Sequence, residues 1–251
     1  MEKEKTIEVV LAPGLFTNFT TIEKPYVVVV VDVFRATTSI CAALDYGVKA
    51  IIPVKRIRFA RFFKRLGYIV AAERGGKKVR FADLDNSATS FFNPIYKGKE
   101  IVYSTTNGTK AIKKAAAASE VIIGSFLNLD AVAEWIYNSN KNVIIFCAGW
   151  KNMVNMEDSL FAGALSEILI NKYQYTSNSD SVNMTIDQWN MAKSDVLTYI
   201  DRSSHRNRLR NLLDDELLNL TFSFNKSKIV PIVKNYKIVA YKENGNLKKS
   251  H

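Results

Sequence analysis

The chain has 251 residues, 47% of them hydrophobic, with 35 Lys and Arg against 24 Asp and Glu for a formal net charge of +11. That hydrophobic share can bury a sizeable core, which excludes a disordered chain, and no apolar run reaches the length of a membrane-spanning helix. The excess cations are spread over many segments, among them KRIRFARFFKR at 55–65 and KENGNLKKSH at 242–251, without an RNP, zinc-finger or helix-turn-helix signature; a solvated basic surface that attracts small anions is favoured over a nucleic-acid binder.

The opening, MEKEKTIEVVLAP, alternates charges and then turns strand-like. No apolar stretch follows a basic leader, so neither secretion nor anchoring is expected and the expected location is cytoplasmic. Thr6 to Leu11 predicts a strand, and APGLFTNFTTIEKP a loop or short helix. The most informative stretch is YVVVVVDVFRATTSICAA, from Tyr26 to Ala43. Five consecutive β-branched residues, Val27 to Val31, predict a strand buried on both faces, as in a parallel sheet. After Asp32 the apolar spacing turns helical through Phe34, Ile40 and Cys41, while Arg35, Thr37, Thr38 and Ser39 put one cation and three hydroxyls at the junction. A carboxylate at the carboxyl end of a buried strand, followed by donors at a helix start, is a place to hold an anion and a metal together.

The helix is expected to stop at Gly47, with AIIPV as the next strand and RIRFARFFKRLG as an amphipathic helix. Tyr68 to Ala72 predicts a strand ending in Glu73-Arg74-Gly75-Gly76, and ADLDNSATSFF reads as a ligand-carrying loop. A second strand-turn-helix unit follows: Ile101 to Tyr103, the turn Ser104 to Thr109, and an alanine-rich helix from Lys110. Hydroxyls and an Asn-Gly pair at such a turn can direct several N–H donors at one phosphate-sized anion, or simply cap a helix. Val121 to Gly124 and Asn142 to Cys147 are further strands, leading into Ser125–Asn128 and into Ala148-Gly149-Trp150. Glu157 and Asp158 open the next helix, where one carboxylate can compensate the dipole while its neighbour reaches a metal. Tyr173 to Asn183, rich in Ser and Asn, reads as a mobile excursion; two or three helices follow, and SKIVPIVKNYKIVAYK gives one or two strands with Pro231 at an edge or a strand start. In Ser203-Ser204-His205-Arg206-Asn207-Arg208, Ser204 as a cap and His205 in solvent is the plain reading. Cys41 and Cys147, both in apolar surroundings, are expected to be reduced.

The alternation predicts an α/β class with a mixed, largely parallel sheet flanked by helices. It is read as a single domain over 1–251, with two lobes around a central cleft as one arrangement and a lobe boundary near 100–125.

DVFRATTSICAAL, ERGG, DLDNS, STTNGTKAI, GSFLN, CAG with EDSLFAGAL, and SSHRNRL with IVPIV occur in this order. In these blocks, spanning about Val28 to Val233, the chain resembles the 2-phosphosulfolactate phosphatase family. The resemblance implies a magnesium-dependent phosphatase that hydrolyses 2-phosphosulfolactate, or a related 2-phospho-hydroxy acid, to sulfolactate and inorganic phosphate on the way to coenzyme M. Two departures stand out: Ala72 where the family usually has glycine, and Asn86-Ser87-Ala88 where it usually has a proline third.

Phosphoryl displacement needs charge neutralisation, a stabilised leaving oxygen and an aligned nucleophile. The expected catalytic residues are Asp32, Arg35, Glu73, Asp83 and His205, with Glu73 or Asp83 orienting a water. Asp32 is expected to bind Mg²⁺ with Glu157 or Asp158 as the second carboxylate. Thr105, Thr106, Asn107, Gly108 and Thr109 are expected to cradle the phosphate with Arg35 bridging to it. Ser39, Arg74, Asn86, Ser87, Ser125 and Asn128 are further candidates for binding the rest of the substrate. Position 34 is Phe, so the DxDx[TV] phosphoenzyme pattern is absent, and direct attack by water is preferred over a phosphoenzyme. A small anionic ester is the expected partner, with no nucleic acid, no membrane and a homodimer. The alternative is a non-catalytic sensor for a phosphorylated or dicarboxylic metabolite, which needs the anion donors but not the metal carboxylates.

Overall fold

A computed structural model describes residues 4–19, 26–116 and 120–241. Of the loop or short helix expected over 12–25, residues 20–25 lie outside the described residues, as does the basic tail from 242. In chain order the elements are β1 (Ile7–Val10), β2 (Tyr26–Val31), α1 (Ala36–Asp45), β3 (Ala50–Pro53), α2 (Ile57–Arg65), β4 (Ile69–Arg74), β5 (Lys77–Lys78), β6 (Glu100–Ser104), α3 (Gly108–Ala116) and β7 (Glu120–Gly124). There follow α4 (Leu129–Ser139), β8 (Asn142–Cys147), α5 (Met156–Tyr173), α6 (Asp180–Ala192), α7 (Val196–Ile200), α8 (Ser204–Arg208), α9 (Asp215–Thr221), β9 (Pro231–Lys234) and β10 (Lys237–Ala240). Short 3₁₀ turns, including Pro13–Phe19 and Phe126–Asn128, complete the set.

The valine run forms β2, and all six of its residues are buried. Its side chains alternate between two cores, as the two-residue period of a strand requires. Val27, Val29 and Val31 pack with Ile122, Ile145 and the α4 and α5 residues Val132 and Leu165, whereas Val28 and Val30 pack with Ile40 of α1, Ile112 of α3 and Ile101 of β6. Burying five valines is worth on the order of 10 kcal/mol of transfer free energy as an upper bound.

The strands form a mixed, mostly parallel sheet in the order β1-β8-β2-β7-β9-β10-β3-β6-β4-β5, with helices on its faces. β1, β8, β2 and β7 are mutually parallel, as are β3, β6 and β4. The hairpin β9–β10 joins these blocks through antiparallel pairings at Ile122 with Ile232 and Ile238 with Ile51. Three reversals between β7 and β3 leave the two blocks running in opposite senses along the ladder. Their carboxyl ends can meet only because the sheet folds over α1 and α3, whose apolar faces share one core with strands of both blocks. A third, smaller core joins Ala60 of α2 to Val70, Ala72 and Val102. Pro231 begins β9 inside the sheet, where its missing N–H falls at the strand start.

The stretch from Tyr173 to Asn183, expected to be mobile, is instead fastened to β1. Thr176 bridges to Thr6, and the Ser177 and Ser181 hydroxyls donate to the carbonyls of Ile7 and Val9 at 2.9 and 2.7 Å. The serines satisfy an edge strand that would otherwise present open acceptors. Beyond them α6 packs on α5 at Gly163, where a Cβ would overlap the Thr185 carbonyl. Gly163→Ala is therefore expected to force the two helices apart, destabilising the fold by about 1–3 kcal/mol, read as a lower urea midpoint. Among the described residues no helix is long and apolar enough to cross a membrane.

Candidate active site

The β2–α1 junction is pinned by its own hydroxyls. The Asp32 N–H donates to Thr37 Oγ1 at 3.0 Å and the Thr38 hydroxyl donates to the Val33 carbonyl at 3.0 Å. With these fixed, the Asp32 carboxylate, only 6% exposed, accepts the Ala36 N–H at the start of α1. Gly108 passes so close that a Cβ there would lie 2.7 Å from Asp32 Oδ2 and overlap Ala36. The glycine of the Asn-Gly pair thus lets the start of α3 meet the end of β2. Arg35 is 4% exposed, its guanidinium donating to the Gly76 carbonyl at 2.7 Å and lying 3.9 Å from Asp85.

Glu73, at the end of β4, ties two turns together. Its Oε2 accepts the Gly76 N–H at 2.7 Å and its Oε1 the Thr106 N–H at 2.5 Å. Gly76 has φ of +88°, a backbone conformation that favours glycine, and a Cβ there would lie 2.6 Å from Leu212 Cδ1, which would have to shift. Thr105 and Thr109 close on each other, with the Thr109 hydroxyl donating to the Thr105 carbonyl at 3.0 Å and the Thr109 N–H to the Thr105 hydroxyl at 3.1 Å.

The third wall comes from far along the chain. His205 is buried, with Nδ1 hydrogen-bonded to Glu157 Oε1, and Glu157 is wholly enclosed. Phe34 meets the imidazole edge-on at 6.1 Å between ring centroids, and Trp150 stacks on it at 6.5 Å. The Arg208 guanidinium lies 4.2 Å from the Trp150 ring centroid. Ser203, not Ser204, caps α8, its Oγ accepting the Arg206 N–H at 3.3 Å. His205, expected to be catalytic although its plain reading was a solvent position, is inside, hydrogen-bonded to a carboxylate 48 residues earlier.

These walls enclose a cavity of about 30 Å³ lined by Asp32, Arg35, Glu73, Asn86, Thr105, Thr106, Asn107, His205 and Arg208, with Phe34, Trp150 and the Gly75-Gly76 turn among the rest. Burial pushes the Asp32 carboxyl up to about 6, with Glu73 and Glu157 adding to the rise and His205 opposing it. Burial also lowers the Arg208 pKa, against the pull of Glu157 and Glu73.

Several expected site residues stand elsewhere. Asp83 holds Lys64 at 2.5 Å and the Val70 N–H at 2.9 Å, away from the cavity. Arg74 is spent on the carbonyls of Glu73, Ser104 and Lys55 and on the Ser104 hydroxyl. Ser39 donates to the Asn86 carbonyl, Ser87 bonds Asp85 and Thr89, and Ser125 with Asn128 forms a capping box. Thr109 braces the turn rather than facing the cavity. Glu157 is committed to His205, and Asp158 accepts the N–H groups of Val33 and Gly149 at 2.9 and 3.1 Å, its pKa pushed well up by burial and then by Glu157 and Asp32. Both therefore have their oxygens engaged and neither lines the cavity, although Glu157 acts on the Asp32 carboxyl and Asp32 on that of Asp158. Arg208 and Trp150 were not singled out from sequence; the i, i+3 spacing of His205 and Arg208 on one helix face was the available signal. Cys41 and Cys147 are free and buried, and burial raises both thiol pKa values, Cys41 to about 11.

Among the described residues no three His, Cys, Asp or Glu side chains form a metal cage. With both oxygens of Glu73 taken by backbone N–H groups, what the cavity offers a cation is the Asp32 carboxylate and the Asn86 amide, whose Oδ1 is buried without a hydrogen-bond partner. Two hard oxygens suit magnesium, which keeps several waters and takes its remaining ligands from substrate phosphate. The donor set fits that ion.

A family model described as 2-phosphosulpholactate phosphatase matches residues 15–236. A protein from Caldanaerobacter subterraneus subsp. tengcongensis named probable 2-phosphosulfolactate phosphatase is 36% identical over 212 residues, 83% of this chain and 88% of that one. Proteins of the same name are 34% identical in Prochlorococcus marinus, over 75% of this chain and 81% of theirs, and 27% identical in Clostridium botulinum, over 93% and 98%.

Proposed function

The chain belongs to the 2-phosphosulpholactate phosphatase family, and from that membership and its cavity we propose that it hydrolyses 2-phosphosulfolactate to sulfolactate and inorganic phosphate with the help of magnesium. The observation that carries the reading is the convergence of Asp32, Arg35, Arg208 and the His205–Glu157 pair on one small cavity, from segments up to 176 residues apart.

A phosphoryl dianion needs its charge neutralised before a nucleophile can approach. Arg35 and Arg208 supply two guanidinium groups, and the turn Thr105–Asn107 delivers the amino end of α3 to the same place. Bound magnesium would be held by Asp32 and Asn86 Oδ1 and would supply further neutralisation at the phosphoryl oxygens. Glu157 fixes the imidazole through Nδ1, which leaves Nε2 as the ring atom available for proton transfer. In the displacement a water oxygen bonds to phosphorus as the ester P–O bond breaks, and the departing alkoxide takes a proton from His205 Nε2. The proton lost by the water returns to the imidazole, restoring it. Glu73, with both oxygens engaged by backbone amides, keeps the Gly76 and Thr106 turns in register around the phosphoryl group.

Phosphate release from 2-phosphosulfolactate tests this directly. Turnover is expected with magnesium and a fall of about a hundredfold or more with excess chelator. Full activity in chelator would overturn the metal part of the reading, and no release from any 2-phospho acid would overturn the phosphatase itself. Acid quenching during turnover is expected to trap no phosphoprotein.

A further inference from the structure

We infer that a lysine-lined cavity adjoining the catalytic one binds the acid groups of the substrate that are not transferred, and thereby selects phosphate esters carrying a second acid arm. The inference rests on the phosphatase reading above. The catalytic cavity measures about 30 Å³. On the other side of Asn107 lies a cavity of about 580 Å³, and Asn107 belongs to the walls of both. The loop after β8 separates them too, with Trp150 facing the catalytic cavity and Lys151 the larger one.

Five lysines line this second cavity, Lys55, Lys110, Lys113, Lys114 and Lys151, and no carboxylate does. Among the described residues, Lys64, Lys141, Lys193 and Lys237 have a carboxylate partner, and none of these five has one. Lys113 and Lys114 sit in the last turn of α3, where the helix dipole already favours cations. Lys110 sits in the first turn, where the dipole favours anions, so the helix does not account for it. An anion in the cavity does. A 2-phospho-hydroxy acid whose phosphoryl group lies beside Asp32 has its carboxylate and any further acid group within a few bonds of that point. The wall at Asn107 is where those groups would cross to the lysines. The class of ligand is a small phosphate ester bearing two additional acid groups, with a monoacid ester as the poorer substrate.

The full-length protein and its Lys110→Ala and Lys110→Arg variants would be assayed on 2-phosphosulfolactate and on 2-phospholactate, which lacks the second acid arm. Lys110→Ala is expected to raise KM for 2-phosphosulfolactate about tenfold and to lower the ratio of kcat/KM for the two esters by a similar factor, with Lys110→Arg restoring most of the ratio. Equal loss on both esters, or no loss on either, would overturn the assignment. Should the unmodified protein hydrolyse neither ester, the phosphatase reading falls and calorimetric titration with sulfolactate decides the cavity on its own. A Kd about tenfold weaker in Lys110→Ala upholds the subsite; unchanged Kd, or no binding to the unmodified protein, overturns it.

Discussion

Asp32→Asn is expected to lose phosphate release by about a thousandfold or more while making the metal-free protein more stable above pH 6. The two effects have one origin. In the unfolded chain this carboxyl titrates near 3.8, and in the folded protein burial and the neighbouring Glu73 and Glu157 hold its proton until about pH 6. The folded state therefore binds more protons than the unfolded state between those values. The stabilising advantage of the proton is full below pH 3.8 and is lost as pH rises through 6, leaving the folded protein with an enclosed carboxylate that it must desolvate. That penalty amounts to ~3 kcal/mol at neutral pH. Asparagine keeps the shape and an oxygen for the Ala36 N–H but carries no charge to desolvate. Urea unfolding in chelator at pH 5 and pH 8 checks this, the variant gaining on the parent at the higher pH. A variant less stable than its parent at pH 8 would mean that the Asp32 charge is compensated by its surroundings. The phosphatase reading explains why such a costly carboxylate is kept: a buried anion with an unpartnered amide oxygen nearby is poised for a hard cation and a phosphoryl group.

Much of this arrangement could be read along the chain wherever the physics is local. Five valines followed by Asp, and a hydroxyl turn followed by Asn-Gly, each state their strand, their turn and their helix within a dozen residues. The largely parallel sheet followed from the alternation of such units, and Asp32 and the Thr105–Asn107 turn line one cavity as that logic expects. What was not legible is long-range. Asp32 and Asp83 look alike in sequence, and only the fold places Lys64 beside the second of them. Ser125 and Asn128 carry the right donors at a strand end, but the ordinary office of such residues before a helix is to cap it, and local capping won. Ser39 and Arg74 met backbone carbonyls for the same reason: a buried donor satisfies the nearest acceptor. Glu157 looked like a metal ligand because nothing in its own neighbourhood shows the histidine that claims it. The serines of 177–181 read as mobile because the edge of β1, whose carbonyls they satisfy, lies 170 residues earlier.

His205→Ala is expected to lower kcat on 2-phosphosulfolactate by about 10²- to 10⁴-fold, the range for removing a general acid. The alkoxide of a 2-hydroxy acid is a poor leaving group and requires a proton as the P–O bond breaks. A nitrophenyl phosphate leaves without one, so the same variant should lose far less on that ester. Glu157→Gln is a test of positioning: the amide oxygen can still receive the Nδ1 proton, but it no longer places a negative charge against the ring. A smaller loss is expected, with the same dependence on leaving group, and the double variant should be no worse than His205→Ala alone because the two residues act as one unit. Equal losses of His205→Ala on the alkyl and the nitrophenyl ester would remove the imidazole from proton transfer and leave it a part of the cavity wall. Additive losses in the double variant would separate Glu157 from His205, and the buried carboxylate would then need another purpose than holding that ring.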